Sequence, residues 1–134
     1  MRKKRFLGLW LDELVAHLIE FRNNITIFEN VVSGYGIYKR EQMFDRRKKF
    51  SLDINWLSDY LHNLKNELVK YDRVVLFGPP KMRRELYKQL RSNKKFRSSI
   101  VMDSRHNKTM SEKQMDDFVR NYFGGSVLGG AGQP

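Results

Sequence analysis

The sequence predicts an α/β fold: a mixed sheet with helices packed on it, in the order β-β-β-α-β-α-β-α. Three observations carry this. The first quarter of the chain holds three short runs rich in Leu, Ile, Val, Phe and Trp with turn signals between them, which suits an antiparallel meander. Residues 53–71 place apolar residues at three- and four-residue steps, as an amphipathic helix does. Beyond them a strand-like run, a helix pattern, a second short strand and a last helix alternate, the pattern of parallel strands joined by helical crossovers.

The elements follow in order. "RFLGLWL" (5–11) reads as the first strand and "LVAHLIEF" (14–21) as the second. Asn23-Asn24 supplies a hairpin turn before "ITIFENVV" (25–32). Leu11, Leu14, Val15 and Leu18 also suit a helix over 11–22, the rival reading; the Asn-Asn turn favours strands. Gly34 and Gly36 break the strand pattern and open a long basic loop, 34–50, part of which is expected to lengthen the next helix.

The helix expected over 53–71 lines one face with Ile54, Leu57, Leu61, Leu64 and Leu68, and Ser51 or Asp53 caps it. Val74–Phe77 is continuously apolar, the mark of a strand buried on both faces. Gly78-Pro79-Pro80 ends it, and proline in a first helical turn suits "PKMRRELYKQLRSN", with Met82, Leu86 and Leu90 facing inward. "SSIVMDS" (98–104) is the last strand expected. "TMSEKQMDDFVRNYF" (109–123) is the last helix, with a capping box from Thr109 and Glu112 or from Ser111 and Gln114. Its inward residues are Met115, Phe118, Val119 and Tyr122. The organisation expected is one domain over 1–123 and a flexible glycine-rich tail over 124–134. Right-handed crossovers make strands four and five parallel to strand one, the topology of the ribonuclease-H-like group.

Composition narrows the functional classes. There is no cysteine, hence no disulfide, thiolate metal site or thiol catalysis. The basic start "MRKKR" is followed by an apolar run broken by Asp12, Glu13 and His17, unlike a secretory signal, and no run is long enough to span a bilayer. A soluble cytoplasmic protein is expected. Lys and Arg number 26 against 15 Asp and Glu, a net charge of +11 that favours a polyanionic partner.

A ribonuclease-H nuclease needs carboxylates converging on two metal ions. Asp12 ends the first strand, and Asp59 and Glu67 lie on the first helix, but the fourth strand ends in Gly-Pro-Pro where a third carboxylate is needed. Asp12 suits a turn instead, because aspartate bonds its own local backbone. His17, His62 and His106 form no zinc spacing, and there is no Ser/His/Asp constellation, G-x-S-x-G or P-loop. The two prolines of "GPPKMRREL" remove donors that a phosphate cradle would use. No catalytic residue, metal, cofactor or small-molecule substrate is therefore assigned.

The basic residues supply the candidate site. Lys39, Arg40, Arg46, Arg47, Lys48 and Lys49 fall within eleven positions of the loop, opposed there by Glu41 and Asp45. Tyr35, Tyr38, Phe44 and Phe50 interleave them, either to stack on bases or to anchor the loop to the core. Further basic runs occur at 2–5, 81–84, 91–97 and 105–108.

Three stretches, "FLGLWLDELVAHLIEF", "YDRVVLFGPPKMRRELYKQL" and "TMSEKQMDDFVRNYF", resemble small bacterial proteins related to the middle domain of the archaeal-eukaryotic peptide-chain release factor and Pelota family. The resemblance rests on a first strand ending in Asp12, the small Ala16 at the start of the second, and the strand-Gly-Pro-helix unit at 74–86, and covers about residues 5–123. It implies a translational-machinery-component-like variant of the ribonuclease-H-like fold. It also implies a role at the ribosome, because release factors carry a Gly-Gly-Gln tip between the third strand and the first helix, the slot of the basic loop here. This loop lacks that tip: Gln42 is its one glutamine, flanked by Glu41 and Met43. Peptidyl-tRNA hydrolysis is thus not implied, whereas Pelota-type members act in ribosome rescue without the tripeptide. The expectation is a non-enzymatic ribosome- or RNA-associated factor in translation, rescue or hibernation, which contacts rRNA or tRNA through Lys39, Arg40, Arg46, Arg47, Lys48 and Lys49. The alternatives are a protein–protein interaction module and, behind it, a metal-dependent nuclease.

Overall fold

The computed structural model describes residues 4–45, 51–96, 99–103 and 109–129, with side chains through Gly124. The elements are β1 (Phe6–Leu11), β2 (Val15–Arg22), β3 (Ile25–Val32), α1 (Gly34–Phe44), α2 (Trp56–Leu68), β4 (Arg73–Phe77), α3 (Pro80–Arg91), β5 (Ile100–Met102) and α4 (Glu112–Gly129). The sheet order is β3-β2-β1-β4-β5. β1, β2 and β3 form an antiparallel meander, while β4 pairs parallel with β1 and β5 parallel with β4. This is the mixed α/β architecture expected, with one helix more than the sequence order allowed.

Alternation of side chains across the strands makes two cores. Leu7, Leu9, Leu11, Ala16, Leu18, Val74 and Leu76 face α2 and α3, which bring Leu61, Leu64, Leu68, Met82, Leu86 and Leu90. Trp10, Ile19, Phe21, Val75 and Phe77 face α4, which brings Met115, Phe118, Val119 and Phe123. Each Val, Leu, Ile, Phe or Met side chain among them, fully buried, contributes roughly 1.5–3 kcal/mol of transfer free energy. The strand reading of 11–22 prevails because Asn23 and Asn24 both take positive φ, 54° and 63°, as a two-residue hairpin turn requires. Gly78 at φ 103° closes β4, and the indole of Trp10 lies where a Cβ would project.

Several boundaries differ from expectation for local reasons. The stretch 34–44 is helix, not loop: Ser33 is its N-cap, and its Oγ accepts the Gly36 N–H at 2.9 Å. α2 starts at Trp56, because Asp53 first makes a turn in which its Oδ1 accepts the Asn55 N–H and its carbonyl accepts the Trp56 N–H. Ile54 therefore precedes the helix and is 91% exposed rather than inward. The Ser111–Gln114 capping box forms reciprocally, at 2.8 and 3.1 Å. α4 continues past Phe123 to Gly129, so the first part of the glycine-rich stretch is helical; 130–134 lie outside the described residues.

Gly36 gives a test of how α1 is seated. A Cβ there would lie 2.3 Å from the Leu14 carbonyl oxygen. Helix propensity alone makes alanine better than glycine by about 1 kcal/mol. The clash reverses that sign: Gly36→Ala is expected to lower the unfolding free energy in urea titration by about 1–3 kcal/mol. A variant more stable than the parent would contradict this seating.

Candidate nucleic-acid interface

The turn between β1 and β2 positions everything around the candidate site. Asp12 Oδ1 accepts the N–H groups of Leu14 at 2.8 Å and Val15 at 2.9 Å, and the Asp12 N–H donates to the Val15 carbonyl. The Asp12 carbonyl accepts the Tyr60 hydroxyl of α2 at 3.0 Å. Burial, then the Asp12 carboxylate, pushes the Tyr60 phenol up, so it stays a donor. Ser33, buried ahead of α1, donates its Oγ to the Glu13 carbonyl at 2.6 Å and its N–H to the Leu14 carbonyl at 2.9 Å. Lys81, in the first turn of α3, reaches the Glu13 carboxylate at 3.3 Å. Three helices are thus tied to three consecutive turn residues.

This assigns Asp12 the turn role, with one carboxylate oxygen taken by backbone donors. Asp59 is exposed on α2, and Glu67 lies at its far end paired with Lys70 at 3.0 Å. Among the described residues no group of three or more His, Asp or Glu is placed to hold a metal ion. The histidines are similarly dispersed. His17 Nδ1 lies 2.7 Å from Asn30 Oδ1 beside the Trp10 ring, His62 is exposed on α2, and His106 falls outside the described residues.

Of the six candidate cations, Lys39 and Arg40 lie exposed on α1; Arg46, Arg47, Lys48 and Lys49 fall outside the described residues. α1 buries no side chain fully. It is held by its cap and by aromatic contact: the Tyr35 ring lies 5.3 Å from Trp56 of α2 and 6.4 Å from Tyr38. Lys39 Nζ sits 5.5 Å from the Tyr35 ring centroid. Gln42 Nε2 donates to the Tyr38 hydroxyl at 2.9 Å. Tyr35 therefore anchors the segment to α2, Tyr38 meets Tyr35 and Gln42 within α1, and Met43 and Phe44 at its end are 82% and 85% exposed.

Of the remaining basic runs, residues 2–3, 97 and 105–108 lie outside the described residues, and the rest divide sharply. Arg5 is a structural residue: it donates to Glu20 at 3.1 and 3.2 Å and lies over the Tyr71 ring, and the Glu20 bonds hold its guanidinium up. Arg83 is buried, donates Nη1 to the Asp103 carbonyl at 2.9 Å, and is held below its ordinary pKa by burial and then by Arg84. By contrast Lys81, Arg84, Lys88 and Arg91 are exposed along α3. Lys88 belongs to no basic run. Three- and four-residue spacing, the signal used for apolar faces, was what could have found it.

Comparison with protein-family models finds no match, nor does comparison with curated proteins. Solved structures do match. Pelota of Archaeoglobus fulgidus aligns over 96% of this chain at 10% identity with a TM-score of 0.59. Pelota of Thermoplasma acidophilum aligns over 92% at 15% identity and 0.54, and a structure of an archaeal protein over 96% at 10% and 0.51. The chain spans 34% of either Pelota protein and 41% of the third. The fold is Pelota-like. Among the described residues, no helix is long and apolar enough to cross a membrane.

The Arg5–Glu20–Tyr71 cluster has a measurable signature. Burial, then the Glu20 charge, pushes the Tyr71 phenol from 10.0 to about 12. Below pH 10 both states hold the proton. Between about pH 10 and 12 the unfolded chain loses it while the native chain keeps it, so this contribution to stability falls as pH rises. In Tyr71→Phe the unfolding free energy should decline less steeply with pH over that window. Equal slopes would contradict burial of the phenol against Glu20.

Proposed function

We propose that this protein is a non-enzymatic factor of the cytoplasm that associates with the ribosome or its RNA, in translation, ribosome rescue or hibernation. The observation that carries the reading is a net charge of +11 on a Pelota-like fold, with Lys39 and Arg40 exposed on the segment that follows β3. α1 leads directly into Arg46, Arg47, Lys48 and Lys49, so six cations lie within one short stretch. Phosphate contacts from such a stretch fix position without reading sequence, which suits a factor that recognises a folded RNA surface. The role proposed for these cations is binding.

A second reading, a protein–protein interaction module, is favoured by one observation. Met43 and Phe44, adjacent at the end of α1, and Ile54, ahead of α2, are large, apolar and highly exposed. Exposed apolar side chains that lie together are where a protein partner would dock.

Co-sedimentation with ribosomes across a salt series separates the two. With Lys39, Arg40, Arg46, Arg47, Lys48 and Lys49 changed to alanine, binding should weaken. The log–log salt dependence on a duplex should flatten by about 0.9 for each phosphate that the variant no longer neutralises. Absence of ribosome and RNA binding by the parent protein at low salt would end the first reading. Binding that is insensitive to salt and nuclease, but abolished in a Met43→Ser, Phe44→Ser variant, would establish the second.

A further inference from the structure

We infer that the outer face of α3 is a second phosphate-binding surface, a rail of cations that engages a nucleic-acid backbone. α3 turns Met82, Leu86 and Leu90 into the core and Lys81, Arg84, Lys88 and Arg91 outward. The four cations recur at steps of three and four residues, so they share one face. From Lys81 to Arg91 they extend about 15 Å along the helix. Lys94 and Lys95, both exposed in the turn after the helix, continue the positive charge.

The charge on this face is largely uncompensated. Glu85 is the one carboxylate between Gly78 and Phe96; it is half-buried at the edge of this face, four residues after Lys81 and three before Lys88. Among the described residues only Lys81 of this set has an ion-pair partner, Glu13. Arg91 lies 5.9 Å from the Tyr87 ring centroid, which steadies its guanidinium on the surface. Four like charges on one helix face repel one another and cost helix stability, a cost that a phosphate ladder removes on binding.

The same face argues against other occupants. An interfacial helix at a membrane needs apolar residues beside its cations; none of the large apolar side chains exposed among the described residues lies on α3. The core of a protein–protein interface is depleted of charge and enriched in aromatic and apolar groups, the reverse of this surface. Regularly spaced cations without an apolar centre fit phosphates.

The surface deepens the proposed role at RNA but is separable from it. Ser33 of the α1 cap and Lys81 of α3 are both bound to Glu13, so the two cationic segments start from one point at one end of the sheet. A single RNA surface can then meet both. The α3 rail needs nothing from residues 39–49, and either segment can be altered alone.

The test is fluorescence anisotropy of the full chain with an RNA hairpin, a single-stranded RNA and a DNA duplex over a salt series. Three proteins join the parent. One carries Arg84→Gln, Lys88→Gln and Arg91→Gln; a charge-matched control carries Lys4→Gln, Arg22→Gln and Lys113→Gln; the third is the alanine variant of 39–49. All sites changed on α3 are exposed, and circular dichroism checks that the helices persist. The α3 variant should bind the affected nucleic acid at least tenfold more weakly at low salt. Its log–log salt slope on duplex should fall by about 2–3, while the control changes by less than the equivalent of a single phosphate, about 0.9. The three probes show which nucleic acid the rail takes. Slopes alike in the α3 variant and the control would overturn the inference, and weakened binding in the 39–49 variant alone would do so while leaving the proposed function standing. Binding to phosphatidylserine–phosphatidylcholine vesicles with none to any nucleic acid would also overturn it.

Discussion

The turn Asp12–Leu14 is the constraint on which the arrangement of helices depends. It is first a local structure, because the Asp12 carboxylate closes it by accepting two backbone N–H groups. Only after that closure do the carbonyls of Asp12, Glu13 and Leu14 point where Tyr60 and Ser33 can reach them. Unmade bonds at buried polar groups cost about 1–3 kcal/mol each, so the turn, the N-cap of α1 and the body of α2 are energetically one unit. The residue that looked most like a catalytic carboxylate is the residue that organises the scaffold.

The sheet turns that local closure into a directional surface. Parallel pairing of β1 with β4 brings the ends of both strands together beside the turn, and α3 leaves from there with Lys81 against Glu13. α2 and α3 cover one face and α4 the other. Charge then sorts by environment. Arg5 is consumed by Glu20 and Tyr71, Arg83 is drawn inside, and Arg120, held by Asp116 of the same helix, clamps α4 to the β2–β3 turn through the Asn24 carbonyl. Those three hold the fold, whereas the cations of α1 and the outer cations of α3 stay exposed. Net charge alone cannot draw that distinction.

Much of the scaffold was legible in the sequence because its signals are local or periodic. The Asn23-Asn24 turn, the doubly buried run Val74–Phe77 and the inward sets of α3 and α4 are read from spacing and turn chemistry. α1 was illegible as a helix for a physical reason. It has two glycines, no buried side chain and little apolar periodicity, and its support comes from Ser33 meeting residues about twenty positions earlier and from Tyr35 meeting Trp56. Ile54 misled because periodicity was carried across a turn that Asp53 imposes. Arg83 was legible only on a helical wheel: it adjoins Met82 and stands a turn from Leu86, so a run of basic letters hid one inward member. Lys88 is hidden in the same way: it belongs to no run, and its place on the cationic face shows only at helical spacing.

The proposed binding surface sets the exposed cations of α1 and α3 against one RNA. Lysine footprinting reads this directly: the protein is treated with an amine-acylating reagent with and without bound RNA, and modification is quantified at each lysine. RNA is expected to protect Lys39 and Lys88, with Lys81 and Lys94 beside them, and to leave Lys113 on the opposite face of the sheet as reactive as before. Equal reactivity at all of these positions with RNA bound, or protection confined to Lys113, would contradict it.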